Sequence, residues 1–230
     1  VFNEIVESLH EKYEVVHARF WTKMYWLPIT AAIALAVFNQ LSGINALLYY
    51  APKVFSMGGS EGDVALLQSI PIGIMLVIGT AIGLALIDKL GRKTLLIVGS
   101  LGMALFLALV GFRFLGMGEG EQVSNSIMWL FVGYLFFFAP STGAVIWVYI
   151  SEIFPNRVRA KGQSLGSFTH WLFAATITLV FPIAISRFDA GMIFAFFSAM
   201  MCLQLLWVKF MVPETKNVPL EEIQKELGIQ

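Results

Sequence analysis

Six long apolar runs most constrain what this chain can fold into. Each reaches or exceeds the ~20 residues that a helix needs to cross the ~30 Å hydrocarbon core of a bilayer, and none carries Asp, Glu, Lys or Arg in its middle. Hydrophobic residues make up 58% of the chain and charged residues only 13%, against about 25% charged in soluble domains. The sequence therefore predicts an all-α, polytopic membrane protein with six transmembrane helices at about 26–50, 64–87, 94–115, 126–151, 162–186 and 190–211.

Basic residues are divided unevenly between the segments that flank these runs. Of the 15 Lys and Arg residues, all but Lys53, Arg113 and Arg187 lie in the first segment, the second-to-third loop, the fourth-to-fifth loop or the tail. Basic loops stay on the cytoplasmic side of a membrane, so both termini of this segment are expected in the cytoplasm. We predict a multi-pass protein of the cell membrane, with a cytoplasmic amphipathic linker helix at 1–22, a bundle at 23–212 and a cytoplasmic tail at 213–230.

Other function classes find no support in the residues. The formal net charge is zero, which gives no indication of a nucleic-acid partner. The one cysteine, Cys202, lies in an apolar run, so neither a disulfide framework nor a thiol metal site is expected. The sequence contains no P-loop, G-x-S-x-G, H-E-x-x-H or Rossmann glycine motif. We therefore expect no enzyme activity, no cofactor and no metal.

Polar residues interrupt the first apolar run. Asn39, Gln40 and Asn45 lie close together, and Tyr49 follows Asn45 by one helical turn. An unpaired amide in hydrocarbon is costly, so these groups should face protein, water or a ligand. Carboxamides donate and accept hydrogen bonds without charge, which suits a neutral polyhydroxylated molecule. Gly43 predicts a bend near mid-membrane. Hydrogen bonding between helices alone is the alternative.

The fourth run combines a segment that disfavours regular helix with a tryptophan. Pro140 removes one helical hydrogen bond and Gly143 loosens the following turn, so a bend is predicted there. Trp147, about one turn later, offers a flat apolar face and an indole N–H donor. Such a face can stack on the C–H face of a sugar ring. A tryptophan of the core or of the membrane interface is the competing interpretation.

The fifth run contains His170 followed by Trp171. An ionisable residue inside a span is a functional hypothesis by default. His170 is interpreted either as a neutral imidazole that hydrogen-bonds the substrate or as a proton carrier. We favour the first, because one histidine does not make a proton relay.

Charged residues cluster in the loop that joins the second and third runs. This loop reads Asp88-Lys89-Leu90-Gly91-Arg92-Lys93 and requires a tight turn at Gly91. Glu152, at the end of the fourth run, is expected at the same membrane level. The loop is interpreted either as a plain topogenic loop or as one side of an ion pair with Glu152 that breaks and reforms as an inner gate.

Four motifs in this order resemble the sugar porters of the major facilitator superfamily. They are NQLSGINALLYY at 39–50, DKLGRK at 88–93, WVYISEIFP at 147–155 with Arg159 and Lys161 after it, and PETK at 213–216. The resemblance implies a fold of two six-helix bundles, of which this chain is similar to the linker and the C-terminal bundle. It implies as partners a small neutral sugar, the lipid bilayer and an N-terminal six-helix half of the same protein.

The resemblance also implies roles for individual residues. Gln40 and Asn45 match the sugar-binding amides of the family, and Trp147 and Trp171 match its aromatic residues at the sugar. The resemblance implies a cytoplasmic ion-pair network of Arg92, Glu152, Arg159 and Glu214 that keeps the inner side closed. The expected gating network consists of these four residues together with Asp88, Gly91 and Lys93.

Three positions depart from the family pattern. Asn39 stands where the family usually has glutamine, and His170 where asparagine or glutamine is common. Gly143-Ala144 replaces the family's Gly-Pro, and Pro140 is expected to supply the bend instead.

Two alternatives to the predicted function stay open at this stage. The predicted function is a hexose or pentose transporter that works by alternating access. A membrane sensor that binds sugar without transport is one alternative, and a carrier for a polyol or another neutral solute is the second. Proton symport and passive uniport are both open, because the acidic residue on which coupling in the family mainly depends belongs to the first helix of the N-terminal half.

Overall fold

The protein was analysed as a computed structural model that describes residues 19–60, 62–118, 121–219, 222, 223, 225 and 229. In these ranges a 3₁₀ turn at Lys23–Tyr25 precedes nine α-helices. They are α1 (Trp26–Leu41), α2 (Ile44–Met57), α3 (Asp63–Leu67), α4 (Ile70–Leu90), α5 (Arg92–Leu115), α6 (Ser124–Phe138), α7 (Ala144–Glu152), α8 (Arg159–Arg187) and α9 (Ala190–Met211). The linker helix predicted at 1–22 lies outside the described residues up to position 18, as does part of the tail at 213–230.

These helices group into six candidate membrane spans, which confirms the predicted fold class. The spans are Lys23–Met57, Asp63–Leu90, Arg92–Leu115, Ser124–Glu152, Arg159–Arg187 and Ala190–Met211. Successive spans run in opposite directions, so Asp88, Arg92, Glu152 and Glu214 meet at one end of the bundle. We call this the charged end, and we call the opposite end, at Gly58, Gly116 and Arg187, the loop end.

Two apolar clusters hold the bundle together. The cluster nearer the loop end contains stacked and edge-on rings such as Phe131, Phe194 and Phe114. The cluster nearer the charged end is built around Leu35, Tyr149 and other buried residues of α1, α5 and α7. Helix α5 packs chiefly against α9 and α6, whereas α8 packs chiefly against α1.

The first span breaks at Gly43, as the sequence predicts. Its φ of +82° lies in the left-handed region, which favours glycine. A Cβ at this position would come within 2.7 Å of Phe197 Cδ2. The Tyr134 hydroxyl donates to Ser42 O at 3.2 Å, so the turn between α1 and α2 is held by hydrogen bonding as well as by packing. The two halves of the span can therefore point their polar residues in directions that one continuous helix would not allow.

The fourth span is interrupted by a π-helical segment at Ala139–Gly143, between α6 and α7. Pro140 lies at its start, where the missing N–H and the ring prevent the regular i to i−4 ladder. Inserted π turns of this kind widen a helix and leave backbone groups for other partners. The bend predicted for this region thus takes the form of a π turn. It carries Thr142 into the middle of the bundle, where the residue is fully buried.

Helices α4 and α8 expose most of their apolar residues. Val77 and Leu179, for example, are 71% and 73% exposed. Because exposed apolar surface of this extent is unfavourable in water, these faces suit contact with lipid or with another helical bundle.

Candidate functional site

Three amides meet where the first span breaks. Asn39 and Gln40 lie on the last turn of α1, and Asn45 lies on the first turn of α2. The Asn45 Nδ2 group donates to Gln40 Oε1 at 2.8 Å, and Gln40 Nε2 donates to Asn39 Oδ1 at 3.1 Å. An ideal helix would separate Gln40 from Asn45 around its circumference, so the break at Gly43 is what brings them into contact. We call these three residues the amide cluster.

The amide cluster joins α1 to the fifth span. Gln40 Nε2 lies 3.2 Å from His170 Nδ1 and 3.1 Å from His170 Nε2. Gln40 is only 1% exposed and Asn39 only 2%, whereas Asn45 and His170 are partly exposed. In this conformation the side-chain polar atoms of Gln40 are thus satisfied by protein neighbours. Asn45 and His170 are the members of the group that also reach open space.

Aromatic side chains form an open face next to the amide cluster. The ring centroids of Trp147 and His170 are 5.0 Å apart, and those of His170 and Trp171 are 5.2 Å apart. Trp147 is 44% exposed and Trp171 61% exposed, so neither is a core tryptophan within this bundle. Tyr49 is exposed as well, and it lines a groove of about 410 Å³ together with Trp171. Amide donors and acceptors therefore lie beside flat apolar rings, which is the combination that a sugar ring requires.

Gly143, the remaining predicted site residue of the fourth span, ends the π segment one turn before Trp147. A Cβ there would lie 3.1 Å from Phe138 Cε1 and 3.3 Å from Phe138 O. The absence of a side chain at Gly143 thus allows Phe138 to pack closely against the π turn in this conformation. It does so at the start of α7, the helix that carries Trp147.

Two polar residues that the sequence analysis did not single out extend this network. The Thr142 carbonyl accepts from Asn39 Nδ2 at 3.1 Å, and the Thr142 hydroxyl accepts from Gln204 Nε2 at 3.0 Å. Gln204 on α9 is fully buried, and its Oε1 atom has no hydrogen-bond partner among the residues that the structure describes. A buried polar atom left unpaired costs about 1–3 kcal/mol. The sequence signal that could have found Gln204 is an amide in the middle of an otherwise apolar span.

A second polar group lies at the charged end. Arg92 forms a two-point ion pair with Glu152: Nη2 lies 2.7 Å from Oε1 and Nε lies 3.1 Å from Oε2. Its Nη1 group lies 3.0 Å from Asp88 Oδ1, and the residue is only 8% exposed. Paired and charge-assisted hydrogen bonds of this kind are among the stronger polar contacts in proteins. The structure therefore brings together the loop and the span end that the sequence analysis linked.

Glu214 ties the tail to the same group. Its carboxylate accepts from the backbone N–H of Arg92 at 2.9 Å and from that of Lys93 at 3.1 Å. These two N–H groups lie at the N-terminus of α5, where helices bind anions. Gly91, with φ of +90°, leaves the space for Glu214, because a Cβ there would lie 2.5 Å from Glu214 Oε2. Glycine is thus required at this position both by its backbone conformation and by the close approach of the carboxylate.

Arg159 lies close to this group without joining it. It lines a cavity of about 270 Å³ with Ser151, Glu152 and Thr215. The Thr215 hydroxyl donates to Glu152 Oε2 at 2.6 Å. Within the described residues no ion pair connects Arg159 to a carboxylate, and its Nε atom has no hydrogen-bond partner. The predicted network is therefore assembled around Arg92, Glu152 and Glu214, and Arg159 stands at its edge in this conformation.

The bundle contains two interrupted spans, and they meet at a group of hydrogen-bonding side chains. This arrangement is typical of secondary transporters, in which discontinuous helices form the substrate site. The family model described as sugar (and other) transporter matches residues 1–227. The chain belongs to this family, within the major facilitator superfamily, and its place is among transporters rather than enzymes.

Individual relatives agree with this assignment. The D-xylose transporter of Levilactobacillus brevis is 35% identical over 231 residues, which cover 98% of this chain and 50% of that protein. The glucose facilitated diffusion protein of Zymomonas mobilis is 36% identical over 203 residues, or 86% of this chain and 42% of that protein. The structure of the proton:xylose symporter XylE of Escherichia coli bound to 6-bromo-6-deoxy-D-glucose matches with a TM-score of 0.79 at 32% identity, covering 96% of this chain and 48% of that one. The chain thus spans about half the length of the relatives it matches.

Proposed function

We propose that this chain forms the C-terminal half of a transmembrane hexose or pentose transporter that works by alternating access. The observation that carries the proposal is the amide cluster at the break in the first span, beside the exposed rings of Trp147 and Trp171. An N-terminal six-helix half would supply the opposite wall of the cavity. The relatives named for xylose and glucose support a small neutral sugar as the substrate.

Sugar binding in this proposal is an exchange of hydrogen bonds. Asn45 and His170 already reach open space, so sugar hydroxyls would engage them first. Gln40 would then give up its contact with His170 in favour of a hydroxyl. About four or five net hydrogen bonds of 0.5–1.5 kcal/mol each, with one stacked ring, correspond to a Kd between roughly millimolar and tens of micromolar. Weak binding of this order suits a protein that must release its cargo.

The group at the charged end is proposed as the inner gate. Most of the basic residues outside the spans lie on this side, which supports a cytoplasmic location under the positive-inside rule. The contacts among Asp88, Arg92, Glu152 and Glu214 bind α4, α5, α7 and the tail to one another. Closing this end would require the contacts to be intact, and opening it would require some of them to break.

The test of the site uses the whole protein that contains this chain, reconstituted in proteoliposomes. Gln40→Ala and Asn45→Ala each remove an amide that the proposal places on the sugar, so saturable uptake of tritiated D-xylose or D-glucose should fall at least about tenfold, as for the loss of roughly 1.4 kcal/mol. Asn125→Ala is the matched control, because Asn125 is an exposed amide at the loop end. It should leave uptake unchanged. Normal uptake by both site variants would reject the site.

The names of the relatives favour neither mode of energy use, since they include a proton:xylose symporter and a facilitated-diffusion protein. The same proteoliposomes separate the two modes. A symporter accumulates sugar above its external concentration when an inward proton gradient is imposed. A uniporter stops at equal concentrations whatever the gradient.

A further inference from the structure

Gln204 connects a helix outside the proposed sugar site to the amides inside it. The residue lies on α9, whose main partner is α5. Its Nε2 group donates to the Thr142 hydroxyl at 3.0 Å, and both residues are fully buried. A single buried contact of this kind links the α9 helix to the π segment of the fourth span.

Thr142 is the point where this contact meets the amide cluster. Its carbonyl accepts from Asn39 Nδ2 at 3.1 Å, and Asn39 Oδ1 in turn accepts from Gln40 Nε2 at 3.1 Å. Only three hydrogen bonds therefore separate Gln204 from Gln40. Because Thr142 lies in a π turn, where the regular helical ladder is interrupted, its orientation depends on partners outside its own helix.

Only one of the two polar groups of the Gln204 side chain, the Nε2 group, has a hydrogen-bond partner among the described residues. The Oε1 atom is buried and unpaired. An apolar side chain at this position would remove the unpaired oxygen, but it would also leave the buried Thr142 hydroxyl without its donor. The unpaired Oε1 atom thus lowers the stability of the fold. The hydrogen bond from Nε2 to Thr142 is therefore the contact through which the amide could serve function.

We propose that Gln204 is a positioning residue for the sugar site. By fixing the Thr142 hydroxyl it sets the orientation of the Thr142 carbonyl, which holds Asn39 and, through Asn39, the Gln40 amide. The inference rests on the proposed function, since it assigns Gln204 to the affinity of that same site. Gln204 itself does not contact the sugar.

The experiment measures two quantities on the whole protein: the Kd for tritiated D-xylose and D-glucose, and the midpoint of thermal unfolding. Gln204→Leu should raise the Kd about tenfold and change the midpoint little, because it removes the unpaired Gln204 oxygen but leaves the Thr142 hydroxyl without its donor. Thr142→Val removes the same contact from the other side. It should raise the Kd to a similar extent. The double variant should bind no more weakly than either single variant, because both substitutions remove the same hydrogen bond.

Two controls isolate this pathway. Thr142→Ser retains the hydroxyl and should retain the original Kd. Ser198→Ala removes a different buried contact of α9, in which the Ser198 hydroxyl donates to Ala104 O at 2.7 Å, and it should leave the Kd unchanged. Gln204→Met, which keeps the length of the side chain, is the second variant if Gln204→Leu does not give folded protein.

The outcomes are distinct. An unchanged Kd with a lowered unfolding midpoint in Gln204→Leu would overturn the proposal, and so would loss of folded protein in both Gln204 variants. Additive effects of Gln204→Leu and Thr142→Val on the binding free energy would also overturn it, because additivity would show that the two residues act independently of each other. If the unchanged protein binds neither sugar, the proposed function itself fails.

Discussion

At the scale of single residues, the site depends on side chains whose hydrogen-bond capacity is shared between structure and function. Gln40, which the resemblance assigns to sugar binding, is buried and paired with Asn39, Asn45 and His170. Trp147, for which a core position was the competing interpretation, is well exposed within this bundle. Under the proposed function, the amides are a preformed set that a sugar would enter by exchanging one protein partner.

Gly43 allows a test of the helix break itself. Gly43→Ala should lower the stability of the whole protein by about 1–3 kcal/mol, because a left-handed conformation costs roughly 1–2 kcal/mol for a residue with a Cβ and because the new methyl would lie against Phe197. The measurement is thermal or denaturant unfolding in detergent.

Gly73→Ala is the matched control for this substitution. Gly73 lies within α4, and a Cβ there meets nothing within 4 Å, so alanine should be neutral or slightly stabilising. Equal stability of the Gly43→Ala and Gly73→Ala proteins would show that the break does not require glycine.

At the scale of helices, the sequence predicted where helices are interrupted better than it predicted which helices contact one another. Gly43 and Pro140 could be interpreted locally, because a positive φ and a missing N–H are properties of one residue. The partner of Asn39 lies 103 residues away and that of Gln204 lies 62 residues away. Such pairings depend on how helices pack, which periodicity does not specify, so Thr142 and Gln204 were missed. The pairing of Arg92 with Glu152 was foreseen because both lie at span ends, where topology fixes the membrane level.

The ion pair at the charged end provides the test at this scale. Glu152→Gln weakens both contacts to the Arg92 guanidinium, so the inner side should open more often. In a cysteine-free background of the whole protein, a Ser151→Cys reporter lines the cavity beside Glu152. Its rate of labelling by a membrane-impermeant maleimide applied to the charged end should rise severalfold.

A surface ion pair supplies the control for this measurement. Arg113 Nη2 and Glu121 Oε1 lie 3.3 Å apart near the loop end, and the two side chains are 41% and 43% exposed. Ion pairs of this kind at a surface contribute only about 0–1 kcal/mol. Glu121→Gln should therefore leave labelling of the reporter unchanged. An unchanged rate in Glu152→Gln as well would argue against a gating role for Glu152.

At the scale of the molecule, the described residues form one wall of a site and two exposed apolar faces. Six spans, the family and the absence of enzyme motifs could all be derived from length, charge pattern and motif order. The cytoplasmic side of the termini, which the charge pattern predicts, and the cycle between two conformations stay predictions. The chain covers about half of its relatives, and the exposed faces of α4 and α8 are where another bundle could pack.

Sugar counterflow tests the central claim most directly. The whole protein is reconstituted in liposomes loaded with unlabelled D-xylose or D-glucose, and a trace of the same tritiated sugar is added outside. Alternating access predicts a transient accumulation of label that exceeds equilibrium and that Gln40→Ala abolishes. Saturable sugar binding without any counterflow, as expected of a sensor, would contradict the account.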